Sequence, residues 1–452
     1  MARLFGTDGV RGVANTELTP ELAYRMGQAA ARFLGPKLVV GKDTRKSGDM
    51  LEAALVAGAT SQGADIYRAG VIPTPAVALL SRQLNANGGV VISASHNPAK
   101  YNGIKFFDGR GMKLTVARED EIEAFLHAPA DGAEQIAARP IEGGLGRIHE
   151  LEDAADRYIT HAVEMMQSQG LDLSGLKVVV DCGHGASSNT TPEALRRLGA
   201  DLTVINDSWN GLDINLDCGS THMNTLRRVV IATRADVGLA HDGDADRLLA
   251  IDANGDTVDG DMIEAICAAD LASRGQLAGN RVVSTVMCNL GFQRAMKDRG
   301  IEVEQTAVGD RHVLERMLET GAVLGGEQSG HIIFLNHNST GDGLITGLSL
   351  LAVMRRTGKP LAELEQVMTR YPQVLVNVRT ARKEEFADDE GVQEVIARAE
   401  KNLGDEGRVL VRASGTEPLI RVMVEAASEY QAAVEANRIA QVVVERLEGE
   451  AL

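Results

Sequence analysis

The amino-acid sequence predicts an α/β protein with three α/β domains followed by a smaller α+β domain. Up to residue 370, short runs rich in Val, Ile and Leu alternate with longer segments of helical periodicity. Strand–helix alternation of this kind favours mixed, mostly parallel sheets flanked by helices. After residue 371 the pattern changes to β-ribbon segments and one long amphipathic helix, which is typical of an antiparallel sheet.

The predicted elements follow this alternation along the chain. Strands are predicted at short apolar runs, namely residues 37–40, 90–92, 177–180, 202–205, 237–240, 281–286 and 322–324. Helices are predicted where apolar residues recur with a period near 3.6, namely residues 20–34, 50–62, 153–167, 191–198, 260–274, 291–299 and 341–355. In "VLVNVRT" and "RVLVRASGTEPLIRVMVEA" we expect strands of the last domain, before a helix at residues 429–447.

Composition shifts predict four domains, at residues 1–150, 151–256, 257–370 and 371–452. The segment 127–146 is rich in Ala, Gly and Pro and has little periodicity, so it marks the first boundary. Residues 255–260 and 371–372 mark the second and third. In such α/β domains the functional loops lie beyond the carboxyl ends of the strands.

The overall charge limits the class of partner. The chain has 46 Lys and Arg against 63 Asp and Glu, a net charge of −17, which argues against nucleic acid and anionic membranes as partners. A small anionic substrate stays possible, because cations can cluster locally. We expect no membrane span, since no run of about 18 apolar residues exists. The opening residues show no secretory leader and the four cysteines lack a CxxC pattern, so we expect free thiols and a cytoplasmic location.

An acidic loop follows the strand predicted at residues 237–240. In "AHDGDADRLLAID", Asp242, Asp244 and Asp246 alternate, which turns their carboxylates toward one point. Uncompensated carboxylates repel, and Mg²⁺ suits a few carboxylates combined with phosphate oxygens. An EF-hand would need Gly and Glu where the chain has Arg247 and Ala253. A solvated acidic turn is the alternative interpretation.

A serine loop follows the strand predicted at residues 90–92. "VVISASHNPAKYNGIKFF" places Ser95 among turn formers, with Lys105 ten residues later. A hydrolase nucleophile would need a G-x-S-x-G elbow, which is absent, and His96 is too close in sequence to serve as its base. A helix N-cap near Pro98 is a further alternative. We infer that Ser95 carries a phosphoryl group, whose charge would face the cation of the acidic loop.

Two further loops have the residues of a sugar-phosphate site. In "VLGGEQSGHIIF", Glu327, Ser329 and His331 alternate and could grip sugar hydroxyls from one face; a hydrogen-bonded hairpin turn is the alternative. In "VRASGTEPLIRV" a guanidinium, two hydroxyls and a glycine backbone suit a phosphate dianion; a β-turn with surface arginines is the alternative. The residues concerned are Arg412, Ser414, Gly415 and Thr416, with Arg421 returning from the next strand.

Three other polar segments give weaker signals. "FGTDGVRG" adds glycines and Arg11 near the amino terminus. "VGKDTRKSG", at residues 40–48, is expected to be a solvated loop. "AVGDRHV", at residues 307–313, is a further candidate substrate loop.

The four main motifs, in this order, resemble the α-D-phosphohexomutase superfamily. They are SASHNP, DGDADR, GGEQSGH and RASGTEP, and the match extends over essentially the whole chain. The resemblance implies four domains around a central cleft, and a phosphorylated Ser95 that ligates Mg²⁺ through its phosphate beside the three aspartates. It implies acid–base or charge-stabilising work for Lys105, Arg247 and His331. Substrate binding is implied for Arg11, Glu327, Ser329, Arg412, Ser414, Gly415, Thr416 and Arg421.

The opening residues 4–12 and Gln328 resemble the branch of the superfamily that acts on glucosamine phosphates. The implied reaction interconverts glucosamine 6-phosphate and glucosamine 1-phosphate, with glucosamine 1,6-bisphosphate as intermediate and activator. A phosphomannomutase/phosphoglucomutase with the same chemistry is the nearest alternative. A non-catalytic sugar-phosphate-binding protein is the alternative of another class. The sequence leaves monomer and homodimer open.

Overall fold

The computed structural model describes residues 3–6, 8–128, 140–414 and 418–452. The chain divides into two compact units. Unit 1 comprises Met1–Met287 and Gly300–Val367, and unit 2 comprises Cys288–Arg299 and Met368–Leu452.

The first sheet of unit 1 carries the serine loop. Its seven strands have the order β1-β2-β6-β5-β3-β4-β7 and are β1 (Phe5–Gly6), β2 (Gly9–Val13), β3 (Lys37–Lys42), β4 (Asp65–Val71), β5 (Gly88–Ile92), β6 (Tyr101–Asp108) and β7 (Ile148–Glu150). Its helices are α1 (Pro20–Phe33), α2 (Gly48–Thr60), α3 (Thr74–Gln83) and α4 (Val116–His127). The pairs β5–β3, β3–β4 and β4–β7 are parallel.

Close approach of α1 and α2 closes the core beside this sheet. A Cβ on Gly27 would lie 1.9 Å from the Leu55 carbonyl oxygen, and one on Gly58 would lie 1.9 Å from that of Tyr24. Each helix therefore needs glycine where it touches its partner's backbone. The apolar faces of both helices pack on strand residues such as Val90, which are fully buried.

The second sheet of unit 1 carries the acidic loop. Its order is β12-β11-β10-β8-β9, with β8 (Lys177–Asp181), β9 (Asp201–Ile205), β10 (Val237–His241), β11 (Leu248–Asp252) and β12 (Thr257–Val258). Its helices are α5 (Ala154–Gln167), α6 (Thr191–Arg197) and α7 (Asn224–Thr233). Strand β10 is central and every residue of it is buried, so its carboxyl end places the next residues deep inside the protein.

The third sheet carries the loop with Glu327. Its order is β14-β13-β15-β16, with β13 (Arg281–Thr285), β14 (Glu302–Thr306), β15 (Leu324–Gly326) and β16 (Ile332–Phe334). Its helices are α8 (Gly260–Ser273), α10 (Asp310–Thr320), α11 (Gly343–Thr357) and the short α12 (Leu361–Leu364); α9 (Leu290–Asp298) belongs to unit 2.

Unit 2 is the smaller α+β body. Its sheet is antiparallel throughout the described residues, in the order β18-β19-β17-β20, with β17 (Gln373–Arg379), β18 (Gly407–Ala413), β19 (Leu419–Ala426) and β20 (Glu450–Ala451). Helices α13 (Glu390–Leu403) and α14 (Glu429–Arg446) cover one face. Residues such as Val422, Val424 and Ile439 are fully buried between these helices and the sheet.

The predicted fold class is confirmed, with three mixed α/β sheets and a smaller α+β body. The described strands of unit 1 form seven parallel pairs and six antiparallel pairs. The strand predicted at residues 322–324 is wrong by two residues, since it forms at Leu324–Gly326. The domain boundaries at residues 150, 256 and 370 stay predictions. None of the helices in the described ranges has the length and apolar character that crossing a bilayer requires.

Candidate active site

Loops that follow a strand of each sheet in unit 1 meet at one place. The Ser95 hydroxyl, beyond β5, donates a hydrogen bond of 2.5 Å to Asp242 Oδ2, beyond β10. Both residues are almost completely buried. His331, just before β16, lies with Nδ1 3.5 Å from Asp246 Oδ2. The structure therefore joins the serine, the acidic loop and the third loop, which the sequence presented separately.

The backbone of Ser95 has an uncommon conformation. Its φ is +51°, a left-handed value that non-glycine residues rarely adopt. The Ser95 N–H donates to Ser93 Oγ at 2.9 Å, so a side chain two residues earlier holds this turn. The result is a serine hydroxyl directed at the acidic loop.

The three aspartates of the acidic loop converge. Asp242, Asp244 and Asp246 are buried, and each offers a carboxylate oxygen within 4.8 Å of the other two. Burial, followed by the charges of Asp246 and Asp244, raises the pKa of Asp242 well above its usual value. Repulsion of this kind is relieved when a cation binds between the carboxylates.

A metal ion fits these residues. Among the described residues, Asp244 Oδ1 and Asp246 Oδ1 are buried and have no hydrogen-bond partner. Carboxylate oxygens are the ligands that hard divalent cations prefer. The aspartate cluster could therefore hold a divalent metal ion.

Lys105 balances part of the acidic charge. Its Nζ lies 2.9 Å from Asp244 Oδ2, 2.7 Å from Asp8 Oδ2 and 3.8 Å from Asp246 Oδ2. Burial alone would lower the pKa of Lys105, but the neighbouring carboxylates, Asp244 first, outweigh it and raise that pKa. Asp244 Oδ2 also accepts the hydroxyl proton of Thr74 at 2.6 Å.

Asp8 links Lys105 to further charged residues. Its Oδ1 lies 2.5 Å from Lys113 Nζ, Lys113 also pairs with Asp310, and Arg11 pairs with Asp8. Burial alone would raise the pKa of Asp8, but Lys105 and Lys113 outweigh it and lower that pKa. The structure thus places Arg11 at the site, and it places Asp310 of the 307–313 segment there too.

Sequence reasoning missed Asp8, Thr74 and Lys113. Asp8 stands in the glycine-rich opening motif, where a carboxylate three residues before Arg11 was the available signal. Thr74 and Lys113 carried no local signal, since their partners lie 170 and 105 residues away.

His331 approaches the acidic loop from the third loop, and Arg247 is a residue of the acidic loop itself. The Gly341 N–H donates to His331 Nε2 at 3.1 Å, which leaves Nδ1 to carry the proton toward Asp246. Arg247 Nε lies 3.8 Å from Asp246 Oδ1, and a quarter of its side chain is exposed. Lys105, Arg247 and His331 therefore all reach Asp246.

His96 lies beside the serine. Its Nδ1 is 3.3 Å from Ser95 Oγ. Burial, followed by the positive charges of Arg247 and Arg11, lowers the pKa of His96 to about 4. The imidazole is therefore neutral near pH 7, while the Ser95 proton is directed to Asp242.

The third loop is a hydrogen-bonded hairpin turn that also presents polar side chains. The Gly330 N–H donates to the Glu327 carbonyl at 2.9 Å, and the Glu327 N–H donates to the His331 carbonyl at 3.0 Å. Gly330 has φ +90°, and a Cβ there would lie 2.2 Å from the Leu248 carbonyl oxygen. Glu327 Oε1 accepts the Gly309 N–H at 3.0 Å. Ser329 Oγ is buried, without a hydrogen-bond partner in the described part of the chain.

The segment at residues 40–48 is not the solvated loop that its charges suggested. Asp43, Thr44 and Arg45 are buried, and Arg45 Nε donates to Asp43 Oδ2 at 2.9 Å. The Arg45 guanidinium also donates to four backbone carbonyls of the serine loop region, those of Ser95, Asn97, Pro98 and Tyr101. A buried ion pair is tolerated here because these hydrogen bonds compensate for lost hydration.

The fourth loop belongs to unit 2. Arg412 and Arg421 lie directly opposite each other on β18 and β19. Burial, followed by the charge of Arg421, lowers the pKa of Arg412. The Ser414 N–H donates to the Leu419 carbonyl at 2.8 Å and closes the hairpin. Two adjacent guanidinium groups favour an anion. Gly415 and Thr416 lie outside the described residues.

Four family models match successive parts of the chain. The matched descriptions are phosphoglucomutase/phosphomannomutase alpha/beta/alpha domain I at residues 2–131, domain II at residues 156–255, domain III at residues 259–371 and the C-terminal domain at residues 375–442. These matches cover most of the chain.

Full-length relatives and a solved structure agree with these matches. The phosphoglucosamine mutase of Desulforamulus reducens is 53% identical over 98% of this chain and 99% of its own. That of Carboxydothermus hydrogenoformans is 54% identical over 94% of this chain and 96% of its own. A phosphoglucomutase/phosphomannomutase family protein from Burkholderia thailandensis superposes with a TM-score of 0.80 at 25% identity, covering 98% of both chains.

Proposed function

Since the chain belongs to the phosphoglucomutase/phosphomannomutase family, we propose that it interconverts glucosamine 6-phosphate and glucosamine 1-phosphate as a phosphoglucosamine mutase. This activity makes it an isomerase that transfers a phosphoryl group within one substrate. The full-length relatives of about half identical sequence that carry this name support the choice of substrate.

One observation carries the chemistry. The buried Ser95 hydroxyl lies 2.5 Å from Asp242, within a cluster of three aspartates whose ligand oxygens converge. A serine that only packs or caps a helix would not need its hydroxyl on a member of a three-carboxylate cluster. A serine that carries a phosphoryl group beside a metal ion would need such a cluster.

Asp242, Asp244 and Asp246 would hold Mg²⁺ together with a phosphate oxygen on Ser95. When bound, the ion would neutralise charge on the phosphoryl group during its transfer. Lys105 adds a fixed positive charge at the same place, since it is held by Asp8 and Asp244. Arg247 and His331 complete the group of candidates for charge stabilisation and proton transfer.

The phosphoryl group moves twice in the proposed cycle. The O1 hydroxyl of glucosamine 6-phosphate attacks the phosphorus of phospho-Ser95 and passes its proton to a base of the site. The bond between phosphorus and Ser95 Oγ breaks, Oγ takes up a proton, and glucosamine 1,6-bisphosphate forms. The bisphosphate then turns, and Ser95 Oγ gives up its proton and attacks the phosphorus at O6. The bond between phosphorus and O6 breaks, O6 takes up a proton, and glucosamine 1-phosphate is released. Free bisphosphate acts as activator, because it rephosphorylates Ser95. The chain contributes chiefly positioning and electrostatics to such a transfer.

The remaining site residues would bind the substrate. Glu327 and Ser329 would contact sugar hydroxyls, and the unpartnered Ser329 hydroxyl supports this role. Arg11 would stand near the transferred group, beside Asp8. The phosphate that is not transferred would be held by Arg412, Ser414, Gly415, Thr416 and Arg421. The four cysteines are free and buried, which suits the cytoplasmic location that belongs to this proposal.

Turnover of a substrate panel tests the proposal. The wild-type protein is assayed with glucosamine 6-phosphate, Mg²⁺ and a trace of sugar 1,6-bisphosphate, beside glucose and mannose phosphates, with Ser95→Ala as control. A clear preference for glucosamine phosphate, lost in Ser95→Ala, is the expected result. Equal or better turnover of glucose or mannose phosphates would assign a phosphomannomutase/phosphoglucomutase. If mass spectrometry shows that Ser95 is phosphorylated but none of the sugar phosphates is turned over, a non-catalytic binding protein would be favoured.

A further inference from the structure

Arg45 binds several backbone carbonyls in and beside the serine loop. Between the end of β5 and the start of β6 the backbone leaves the sheet ladder, so its carbonyl groups need other partners. The Arg45 guanidinium donates to three of them, at 2.8 Å for Ser95, 2.7 Å for Asn97 and 2.7 Å for Pro98, and to the carbonyl of Tyr101, the first residue of β6, at 3.0 Å. One side chain therefore links four positions of this segment.

Arg45 is itself fixed by a ring of hydrogen bonds that closes on the serine. Asp43 accepts from the Arg45 backbone N–H and from Arg45 Nε, both at 2.9 Å. Asp43 Oδ2 also accepts the Ser93 hydroxyl proton at 2.5 Å, and Ser93 Oγ accepts the Ser95 N–H at 2.9 Å. The same network thus holds the N–H and the carbonyl of Ser95, and so fixes its positive φ.

The Ser95 carbonyl is also held by a residue that follows a strand of the second sheet. Asn215 Nδ2 donates to the Ser95 carbonyl at 2.9 Å, so that oxygen receives one hydrogen bond from the first sheet's loop and one from the loop after β9. The side chains of Arg45 and Asp43 are fully buried, so neither can touch a substrate. Their hydrogen bonds reach the reacting groups through the serine loop.

We propose, on the basis of the phosphoryl transfer proposed above, that Arg45 is a positioning residue for Ser95. It holds the left-handed Ser95 backbone so that Oγ faces Asp242 and the aspartate cluster. Phosphoryl transfer needs the donor oxygen, the phosphorus and the acceptor in line, so a loop that relaxes loses rate rather than substrate affinity.

The test compares Arg45→Met with a matched arginine in the same domain. Arg25 also joins backbone carbonyls, donating to those of Phe125 and Ala128 at 2.7 Å each, but it has no contact with the serine loop among the described residues. In Arg45→Met we expect kcat to fall about 100-fold, the scale of a misplacement near 1 Å, while KM for glucosamine 6-phosphate changes less than about threefold. Arg25→Met should keep kcat.

Rescue and a milder variant separate positioning from loss of folding. Millimolar guanidinium should restore part of kcat in Arg45→Gly, and it should do nothing for Arg25→Gly, because only the first has a cavity among the loop carbonyls. Ser93→Ala, which removes the contacts of the Ser93 hydroxyl with the Ser95 N–H and with Asp43, should lower kcat about tenfold without raising KM. Arg45→Lys should behave like Arg45→Met, because one ammonium cannot span four carbonyls.

Any of three kinetic results would overturn the proposal. The kcat of Arg45→Met could stay within about threefold of wild type, the kcat of Arg25→Met could fall as much as that of Arg45→Met, or Arg45→Met could raise KM without lowering kcat. If the wild type turns over no sugar phosphate, the proposed function fails by itself. The positioning role is then judged on a crystal structure of Arg45→Met, where a Ser95 φ that stays positive would overturn it and a negative φ would support it.

Discussion

Replacing Lys105 by Met tests the charge balance at the aspartate cluster. Methionine keeps most of the apolar stem and removes the ammonium that lies 2.7 Å from Asp8 and 2.9 Å from Asp244. At an effective dielectric constant near 20, each contact corresponds to about 6 kcal/mol of Coulomb energy, most of which the burial of the charges offsets. Removing one member of a buried pair typically destabilises by about 3–5 kcal/mol. We expect about 3 kcal/mol, because Asp8 keeps Lys113 and Asp244 keeps Thr74.

Urea unfolding followed by fluorescence measures this loss. The chain has one tryptophan, Trp209, which belongs to unit 1 together with Lys105. Lys359→Met is the matched control, because Lys359 Nζ lies 2.6 Å from Glu363 Oε1 with about half of each side chain exposed. Such surface pairs contribute about 0.3–0.5 kcal/mol. A Lys105→Met protein within about 1 kcal/mol of wild type would refute the role of Lys105 as charge partner, since desolvation would then cancel the ion pairs.

Three further measurements address other parts of the molecule. Asp244→Asn should weaken Mg²⁺ binding by more than the roughly 10–100-fold typical for loss of a residue that only supports a metal ligand. An unchanged Mg²⁺ dependence of turnover would remove Asp244 from the metal site. Arg412→Met should raise KM about 10–100-fold, because a hydrogen bond to a charged group contributes about 1.5–3 kcal/mol; steady-state kinetics with the exposed Arg398→Met as control decide this. Burial, followed by the charge of Asp261, raises the pKa of Glu264 well above its usual value. The stability that the neutral Glu264 side chain contributes is therefore complete below the pKa of the unfolded state, and it is lost as pH rises through the pKa of the folded state. The stability advantage of Glu264→Gln over wild type should therefore grow from about pH 4 to about pH 8; equal urea midpoint differences at both pH values would contradict it.

The placement of Ser95 and Asp242 at the ends of strands could be predicted from local sequence. The apolar runs before Ser95 and Asp242 are short, bounded by polar turn residues, and form β5 and β10. Loops beyond the carboxyl ends of such strands carry function in α/β domains. The sequence alone gave no distance between these loops, and the contact between Ser95 and Asp242 needed the structure.

The supporting residues could not be predicted, because their partners are remote. Charges at residues 40–48 suggest a solvated loop, yet Asp43 and Arg45 are buried against carbonyls that lie about 50 residues away. A sequence pattern shows whether a residue is charged, whereas burial depends on partners that satisfy it. Arg45 acquires those partners only when β3 and β5 pair.

Two secondary-structure errors have the same kind of cause. The sequence does not predict helix α3 (Thr74–Gln83). Eight of its residues are buried, so the helix lacks the polar face that a helical hydrophobic pattern requires. Strand β15 includes Gly325 and Gly326, which disfavour strands locally. They form one because Gly325 pairs with Val283 on one side and Ile333 on the other.

The long sequence separation between Ser95 and Asp242 has a consequence for how the protein is made. The two residues lie 147 positions apart, and ribosomes add about 5–20 residues per second. The serine loop is therefore synthesised about 7–30 s before its aspartate partner exists. A nascent chain that has folded only its first sheet has the hydroxyl but no acidic cluster, so the phosphoryl transfer proposed at Ser95 could not take place. On that proposal, activity requires the second sheet, and translation that stalls before residue 242 would leave an inactive fragment.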